Sequence, residues 1–309
     1  MEKIIILLST YNGELYIREQ LDSLINQQGV DIHIVVRDDG SSDNTVDIIG
    51  NFIAEYPDRI TLIKGENMGV TKSFLWLMEY AYHLPNCKYF AFCDQDDVWK
   101  DNKLKIAVER LSGSAADKPA LFFSYYQLVD SLGNEMPTVH PELKLTLGET
   151  LVMNSSVGCT QVFNRTLLKY ALKNAIPAKI LHDWWIYVVC QALQGDVYYE
   201  KTPLIYYRQH NHNVLGGISN SKWQKLKNWF LYKNNHLNSL LAQAVFRGYH
   251  QEISKLSNGI DYLNTLKWAA GSLFSFWCRM KLLAHYSRFK TGNNDVNCGF
   301  LLSVVFGKF

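Results

Sequence analysis

The chain has 309 residues, 48% of them hydrophobic and 19% charged, which allows a sizeable core and excludes global disorder. With 31 Lys and Arg against 29 Asp and Glu the formal net charge is +2, too small for nucleic acid to be a general partner. The length suits one large α/β domain with an extension, or two domains.

Lys3 to Leu8 is a continuous aliphatic run, the pattern of a strand covered on both faces. The polar loop Ser9-Thr10-Tyr11-Asn12-Gly13 follows, and Ile17, Leu21, Leu24 and Ile25 then recur at helical spacing. Ile32 to Val36 predicts a second strand, ending in Asp38-Asp39-Gly40-Ser41-Ser42-Asp43. Ser42 or Asp43 can cap the next helix, whose apolar face is Val46, Ile49, Phe52, Ile53 and Tyr56. Ile60 to Ile63 is a third strand, and Asn67-Met68-Gly69-Val70 is a turn in which Gly69 suits a positive φ. Phe74, Leu77, Met78 and Ala81 form a further helical stripe, stopped before Pro85. The apolar run Tyr89 to Cys93 reads as a buried strand that ends in Asp94-Gln95-Asp96-Asp97. Three strand–helix repeats and this strand predict a mostly parallel sheet with right-handed crossovers. The polar clusters at 9–12, 38–43, 67–72 and 94–97 all follow strands, so they converge on one sheet edge.

Leu121 to Tyr126 and Gln161 to Phe163 predict further strands, and His182-Asp183-Trp184-Trp185 opens a helix running to about Leu193. Val197 to Tyr199 and Leu204 to Tyr207 read as two short strands before a polar loop at 208–217. Beyond Ser221 the strand clusters stop. Trp223 to Arg247 and Ile253 to Arg288 read as helices with Lys and Arg set between Trp, Leu and Phe. A boundary near 215–222 is expected, with one domain at 1–218 and a helical region at 219–309.

The chemistry centres on Asp94, Asp96 and Asp97. A bare buried charge is costly, so these carboxylates belong at the strand's carboxyl end, where open α/β sheets hold ligands. Hard oxygen donors at this spacing suit Mg²⁺ or Mn²⁺, completed by substrate phosphates. The plainer reading is an acidic turn capping a helix over Asn102 to Leu111. No G-x-G-x-x-G follows the first strand and no G-x-x-x-x-G-K-[ST] occurs. Both absences argue against an NAD-binding Rossmann domain or a P-loop, and a metal-bridged diphosphate is the common solution that remains.

Ser9-Thr10-Tyr11-Asn12, Asp38-Asp39-Gly40-Ser41-Ser42-Asp43, Asn67-x-Gly69 and Asp94-Gln95-Asp96-Asp97, in that order, resemble the family 2 glycosyltransferases. These are inverting enzymes of the nucleotide-sugar-binding α/β fold called GT-A. The forms Asp-Gln-Asp-Asp-Val-Trp and His-Asp-Trp-Trp look most like bacterial rhamnosyltransferases. The resemblance implies a GT-A fold with a mostly parallel central sheet plus a C-terminal helical extension. It implies nucleotide and donor contacts from Thr10, Tyr11, Asn12, Asp39, Asn67, Lys72, Asp94 and Gln95. Within that set Tyr11 flanks the base, Asp39 accepts from the N3–H of uracil or thymine, and Asp94 touches ribose or sugar; a fixed carboxylate suits the N3–H donor. Asp96 would coordinate the metal, with His210 reaching the metal or the diphosphate. Trp99, His182, Trp184 and Trp185 stand as sugar or acceptor contacts. The plainer alternatives are a strand-end aromatic for Tyr11, a turn acid for Asp38 or Asp39, and a solvated loop residue for His210. Asp97 either faces the donor sugar or caps the helix.

Inversion at an anomeric carbon needs a base on the face opposite the leaving group, and a carboxylate at a helix start can serve. Asp183 fits by position, or else it is an N-cap; His182 tunes it or packs. The tail, outside the resemblance, is a membrane-surface element or a packing and dimerisation element. The family's acceptors are often lipid-linked glycans, which favours the membrane. The expectation is therefore metal-dependent transfer from dTDP-L-rhamnose to a cell-surface polysaccharide or lipid-linked glycan. A UDP-hexose donor is the enzymatic alternative, and a non-catalytic glycan-binding module is the alternative of another class. Six scattered cysteines without a C-x-x-C pair predict a reduced, cytosolic protein, and the resemblance implies a place at the inner face of the plasma membrane. A strand pattern at the first residues predicts no signal peptide. The longest uncharged apolar stretch, Trp268 to Cys278, is too short to span a bilayer.

Overall fold

Aliphatic runs without polar alternation fold as strands buried on both faces. In the computed structural model, which describes residues 1–140, 142–210, 236–272 and 275–305, three such strands and a half-buried fourth lie side by side. They are β1 (Lys3–Thr10), β2 (Asp31–Asp38), the half-buried β3 (Ile60–Lys64) and β4 (Tyr89–Cys93). β1 pairs in parallel with β2 on one side and β4 on the other, and β2 pairs in parallel with β3. The connections are α1 (Ile17–Ile25), α2 (Thr45–Glu55) and α3 (Val70–Tyr82). Their buried stripes are those of the hydropathy pattern: Ile17, Leu21 and Leu24 on α1, and Phe74, Leu77, Met78 and Ala81 on α3.

The sheet continues through β5 (Val98–Trp99), β6 (Ala120–Val129), β7 (Val162–Asn164) and β8 (Asp196–Arg208), in the spatial order β3-β2-β1-β4-β7-β6-β8-β5. β7 is antiparallel to β4 and β6, and β5 is antiparallel to β8. The two strands predicted at 197–199 and 204–207 are one strand, β8. Its partner β6 shifts register where Tyr125 faces Pro203, a residue with no N–H to donate. The chain moves outward from β1 to β2 to β3 and then returns to β4 on the far side of β1. That reversal is a topological switch point, where open sheets form a ligand crevice at the strands' carboxyl ends.

The described residues form two compact units. The first comprises 1–138, 156–172 and 196–212, and holds the whole sheet with α4 (Lys103–Leu111) and α6 (Arg165–Leu172). The second comprises 139–155, 173–195 and 213–309. Its helices are α5 (Leu147–Val152), α7 (His182–Ala192), α8 (Leu237–Ile253), α9 (Gly259–Gly271), α10 (Phe276–Ala284), α11 (Tyr286–Phe289) and α12 (Asn294–Val305). The expected boundary near residue 218, and residues 223–235 of the helix predicted at 223–247, lie outside the described residues, and the rest of that predicted helix falls at the start of α8. The long predicted helix at 253–288 is divided into α9, α10 and α11. Gly259 begins α9 beside the Ile253 carbonyl, so closely that a Cβ would collide with it.

α5 and α7 precede the expected boundary yet belong to the helical unit. Asn238 Nδ2 donates to the Leu151 carbonyl (2.5 Å), Gln191 Nε2 donates to the Leu145 carbonyl (2.8 Å), and the Trp185 ring lies 6.2 Å from that of Tyr249. All six cysteines are free thiols.

Candidate active site

The loop after β1 is tied to its neighbours by side chains bonding backbone. Tyr11 N–H donates to Gln95 Oε1 (2.8 Å) and Gln95 Nε2 donates back to the Tyr11 carbonyl (3.1 Å), which joins the ends of β1 and β4. Asn12 has a positive φ of 48°, which Asn tolerates better than most residues. Its Oδ1 accepts from Ser42 N–H (2.8 Å) and its own N–H donates to Ser41 Oγ (2.9 Å). Thr10 Oγ1 donates to Asp38 Oδ1 (3.2 Å), and the Thr10 carbonyl accepts from Asp39 N–H (2.7 Å). Thr10, Tyr11, Asn12 and Gln95 are thus brought together. Tyr11 alone of these four presents a large ring outward, 48% exposed.

The acids after β2 are framework. Asp38 accepts from the N–H groups of Gly40 (3.2 Å) and Ser41 (2.9 Å), closing a turn in which Gly40 has a φ of 86°. Asp39 is 3% exposed. Its Oδ1 pairs with Arg37 and accepts from Met68 N–H (3.0 Å), and its Oδ2 accepts from Gly69 N–H (2.9 Å). A carboxylate offers about four lone-pair sites, so one on Oδ2 remains. Arg37 is also buried and donates to Ser73 Oγ (3.1 Å) and the Glu66 carbonyl (3.0 Å). The sequence reading missed Arg37, although residues two apart on a strand share a face. Asn67 and Lys72 are exposed in and beside the β3–α3 turn that holds Asp39.

The acids after β4 are built differently. Asp96 Oδ2 lies 2.8 Å from His210 Nε2, whose ring stacks on Tyr16 at 4.9 Å. Asp97 is 0% exposed; its Oδ1 accepts from Arg208 N–H (3.1 Å), and its Oδ2 has no hydrogen-bond partner. Burial first, then the charges of Asp96 and Asp94, push its carboxyl well above the usual range. Donor atoms of Asp94, Asp97 and Cys159 lie within 4.8 Å of one another. Burial drives the Cys159 thiol well up, so it is protonated and donates to Asp97. Arg208 donates from Nε to the Asp96 carbonyl (3.0 Å) and lies 4.8 Å over the Tyr16 ring. The donor set of Asp96, His210 and Asp94, beside an unsatisfied Asp97 oxygen, fits a hard divalent cation such as Mg²⁺ or Mn²⁺. Cys159 and Arg208 left no sequence signal, because they arrive from distant parts of the chain, Cys159 from the 3-10 turn Gly158–Thr160 and Arg208 from the end of β8.

Behind the cluster stands Lys103, also 0% exposed, with no acceptor for its Nζ and with the Trp99 ring centroid 3.1 Å away. Burial lowers its pKa to about 7. The expectation that Trp99 contacts sugar is corrected: its ring is core, covered by Lys103.

Asp183 belongs to the helical unit. The N-cap of α7 is Leu181, so Asp183 is not the cap; it lies in the first turn, where the helix dipole favours a carboxylate. It is buried, and its Oδ1 accepts from Trp184 N–H (2.7 Å). Burial lowers His182 to about 3, leaving a neutral imidazole at physiological pH. Trp184 is half-buried and its indole N–H donates to the Thr150 carbonyl (2.7 Å). Trp185 is fully buried, which corrects its expected role as a sugar contact: it is core.

Comparison with known proteins fits this geometry. The sequence model of glycosyl transferase family 2 matches residues 5–170. A dTDP-rhamnosyl transferase of Shigella flexneri, RfbG, is 31% identical over 267 residues, covering 82% of this chain and 84% of the relative. An uncharacterised glycosyltransferase of a Nostoc species is 26% identical over 272 residues, covering 85% and 82%. Among solved structures, S. aureus TarS in complex with UDP-GlcNAc aligns at a TM-score of 0.56 and 19% identity, over 99% of this chain and 92% of its own. The mannosyltransferase PcManGT of Pyrobaculum calidifontis, in complex with GDP-Man and Mn²⁺, aligns at 0.50 and 16%, over 99% and 85%. At those identities the structural likeness shows the fold alone. The chain belongs to glycosyl transferase family 2 and is a glycosyltransferase of the GT-A fold.

Proposed function

We propose that this glycosyltransferase moves L-rhamnose from dTDP-L-rhamnose, with inversion, onto a hydroxyl of a lipid-carried cell-surface glycan at the inner face of the plasma membrane. The observation that carries the donor is the 31% identity to a dTDP-rhamnosyl transferase over most of both chains. Tyr11 flanks the thymine, and the remaining Oδ2 lone pair of Asp39 accepts its N3–H. Asp96 and His210, with Asp94 beside them, would hold Mg²⁺ or Mn²⁺. Such an ion, when bound, offsets charge on the diphosphate. Asp183 takes the proton of the acceptor hydroxyl. The hydroxyl oxygen bonds to the anomeric carbon while that carbon's bond to the diphosphate oxygen breaks, releasing dTDP.

Uracil presents the same N3–H edge as thymine, so a UDP-hexose donor is the second reading. The UDP-GlcNAc in the TarS structure favours keeping it. A panel of nucleotide sugars, each with Mn²⁺ or Mg²⁺, tests both. The true donor at about 100 times its dissociation constant stabilises the fold by about 2.7 kcal/mol. Asp183→Asn is expected to lower transfer about 10²–10⁴-fold with donor binding intact. Asp96→Ala is expected to lose metal-dependent donor binding first. Near wild-type transfer by Asp183→Asn would reject it as the base. Preferential stabilisation by a UDP-sugar would reject dTDP-L-rhamnose.

A further inference from the structure

A helix packed on a protein body turns its apolar stripe inward. α10 turns much of its stripe outward. On a helix of 3.6 residues per turn, Phe276, Met280 and Ala284 form one row, and Trp277 with Lys281 the next. All five are exposed, while Leu282, on the opposite side, is buried. Phe276 is 62% exposed, Trp277 76% and Met280 43%. The rings of Phe276 and Trp277 meet edge to face at 6.2 Å, so this is a cluster and not three scattered side chains. Contiguous exposed apolar surface of this kind marks an interaction site.

The charge around it identifies the partner. The residues between Asp261 and Asp295 contain no Asp or Glu, yet include Lys267, Arg279, Lys281, Arg288 and Lys290. Arg288 is committed to an ion pair with Asp261, whereas Lys281 and Lys290 are exposed. We propose that the Phe276–Trp277–Met280 face of α10 docks on an anionic lipid surface, with Lys281 at its rim. Trp and Phe beside Lys and Arg on a short helix are the chemistry of a segment lying in the headgroup layer. Nine residues are too few to cross a bilayer, and no helix among the described residues is long and apolar enough to do so. Self-association through this face is disfavoured, because a two-fold contact would set Lys281 against the same base of the second copy.

The inference deepens the reading of a lipid-carried acceptor and rests on it for its purpose, but its test is independent of catalysis. The full chain is sedimented with vesicles of phosphatidylcholine alone and of equal parts phosphatidylcholine and phosphatidylglycerol, at low and high salt. Binding is expected only to the anionic vesicles, weakened by salt. The double variant Phe276→Ser/Trp277→Ser is expected to bind at least about tenfold more weakly, and Lys281→Glu also more weakly. Both carry substitutions at exposed positions, and unchanged thermal melts confirm their folding. No binding to the anionic vesicles, or equal binding by the folded double variant, overturns the proposal. So does a dimer in light scattering that these substitutions dissolve, since the face is then an interface between copies. Release of dTDP or UDP in the presence of a soluble acceptor is expected to be unchanged in both variants. Failure of that release in every protein rejects the donor reading and leaves the vesicle result standing.

Discussion

The turns after β2 and β4 carry the same acid pair, Asp38-Asp39 and Asp96-Asp97, and treat it in opposite ways. Asp39 lies beside Arg37, with two backbone N–H groups on its oxygens. Asp97 is buried more deeply, with one backbone N–H on Oδ1, the Cys159 thiol as a neutral donor and no cation bonded to it among the described residues. The first carboxylate is compensated within the chain and holds the β2–β3 side of the crevice in shape. The second is held among other acids, Asp94 and Asp96, so the site gains by receiving positive charge from outside. Adjacent acids in a sequence therefore say little about role until their counter-charges are known.

Three substitutions test that contrast. Asp39→Asn is expected to have the largest effect, because it leaves the Arg37 guanidinium buried without its counter-charge. A loss of about 3–5 kcal/mol is expected in urea unfolding. A loss below about 1 kcal/mol would mean that Arg37 finds compensation elsewhere.

Lys103→Met probes the cation behind the cluster. The Lys103 pKa falls from 10.5 in the unfolded chain to about 7 in the fold. Between those values the unfolded chain binds more protons, so this group makes stability rise with pH from about 7 toward 10.5. Lys103→Met lacks that rise. Its advantage over the wild-type protein is expected to be of order 4 kcal/mol near pH 7 and to shrink toward pH 10. Parallel stability curves from pH 7 to 10 would show that Lys103 stays charged, held by the Trp99 ring.

Asp97→Asn, measured with chelator present, is expected to change stability by about 1 kcal/mol or less at or below pH 3.8, where the acid is neutral in both states, and to be more stable than the wild-type protein at pH 7. The folded pKa lies above 3.8, so the wild-type group contributes stability that is lost as pH rises from 3.8 through the folded value. The variant lacks that decline. A loss as large as that of Asp39→Asn would mean that Asp97 is ionised and paired, which would erase the contrast between the two turns.

The β/α order, the parallel β1–β4 core and the gathering of acids at one sheet edge were legible in the chain. All three follow from local physics: a run such as Ile4 to Leu8 is stable only when covered on both faces, and carboxylates such as Asp94 are expelled to strand ends. Gly69 was legible too, because its φ of 83° suits a residue without a Cβ. Trp99 and Trp185 were misread, because an aromatic beside a motif looks the same in sequence whether it lines a pocket or fills a core. What the chain did not disclose is who meets whom. Arg208 and Cys159 reach Asp97 from 111 and 62 positions away, and α5 and α7 join helices that follow them by dozens of residues. Hydropathy patterning records which side of an element is buried, but not against what. That partner is set by strand order and helix packing, so only the tertiary structure decided that Asp39 is paired with Arg37, that Asp97 makes no ion pair among the described residues, and that the described residues leave the aromatic face of α10 exposed.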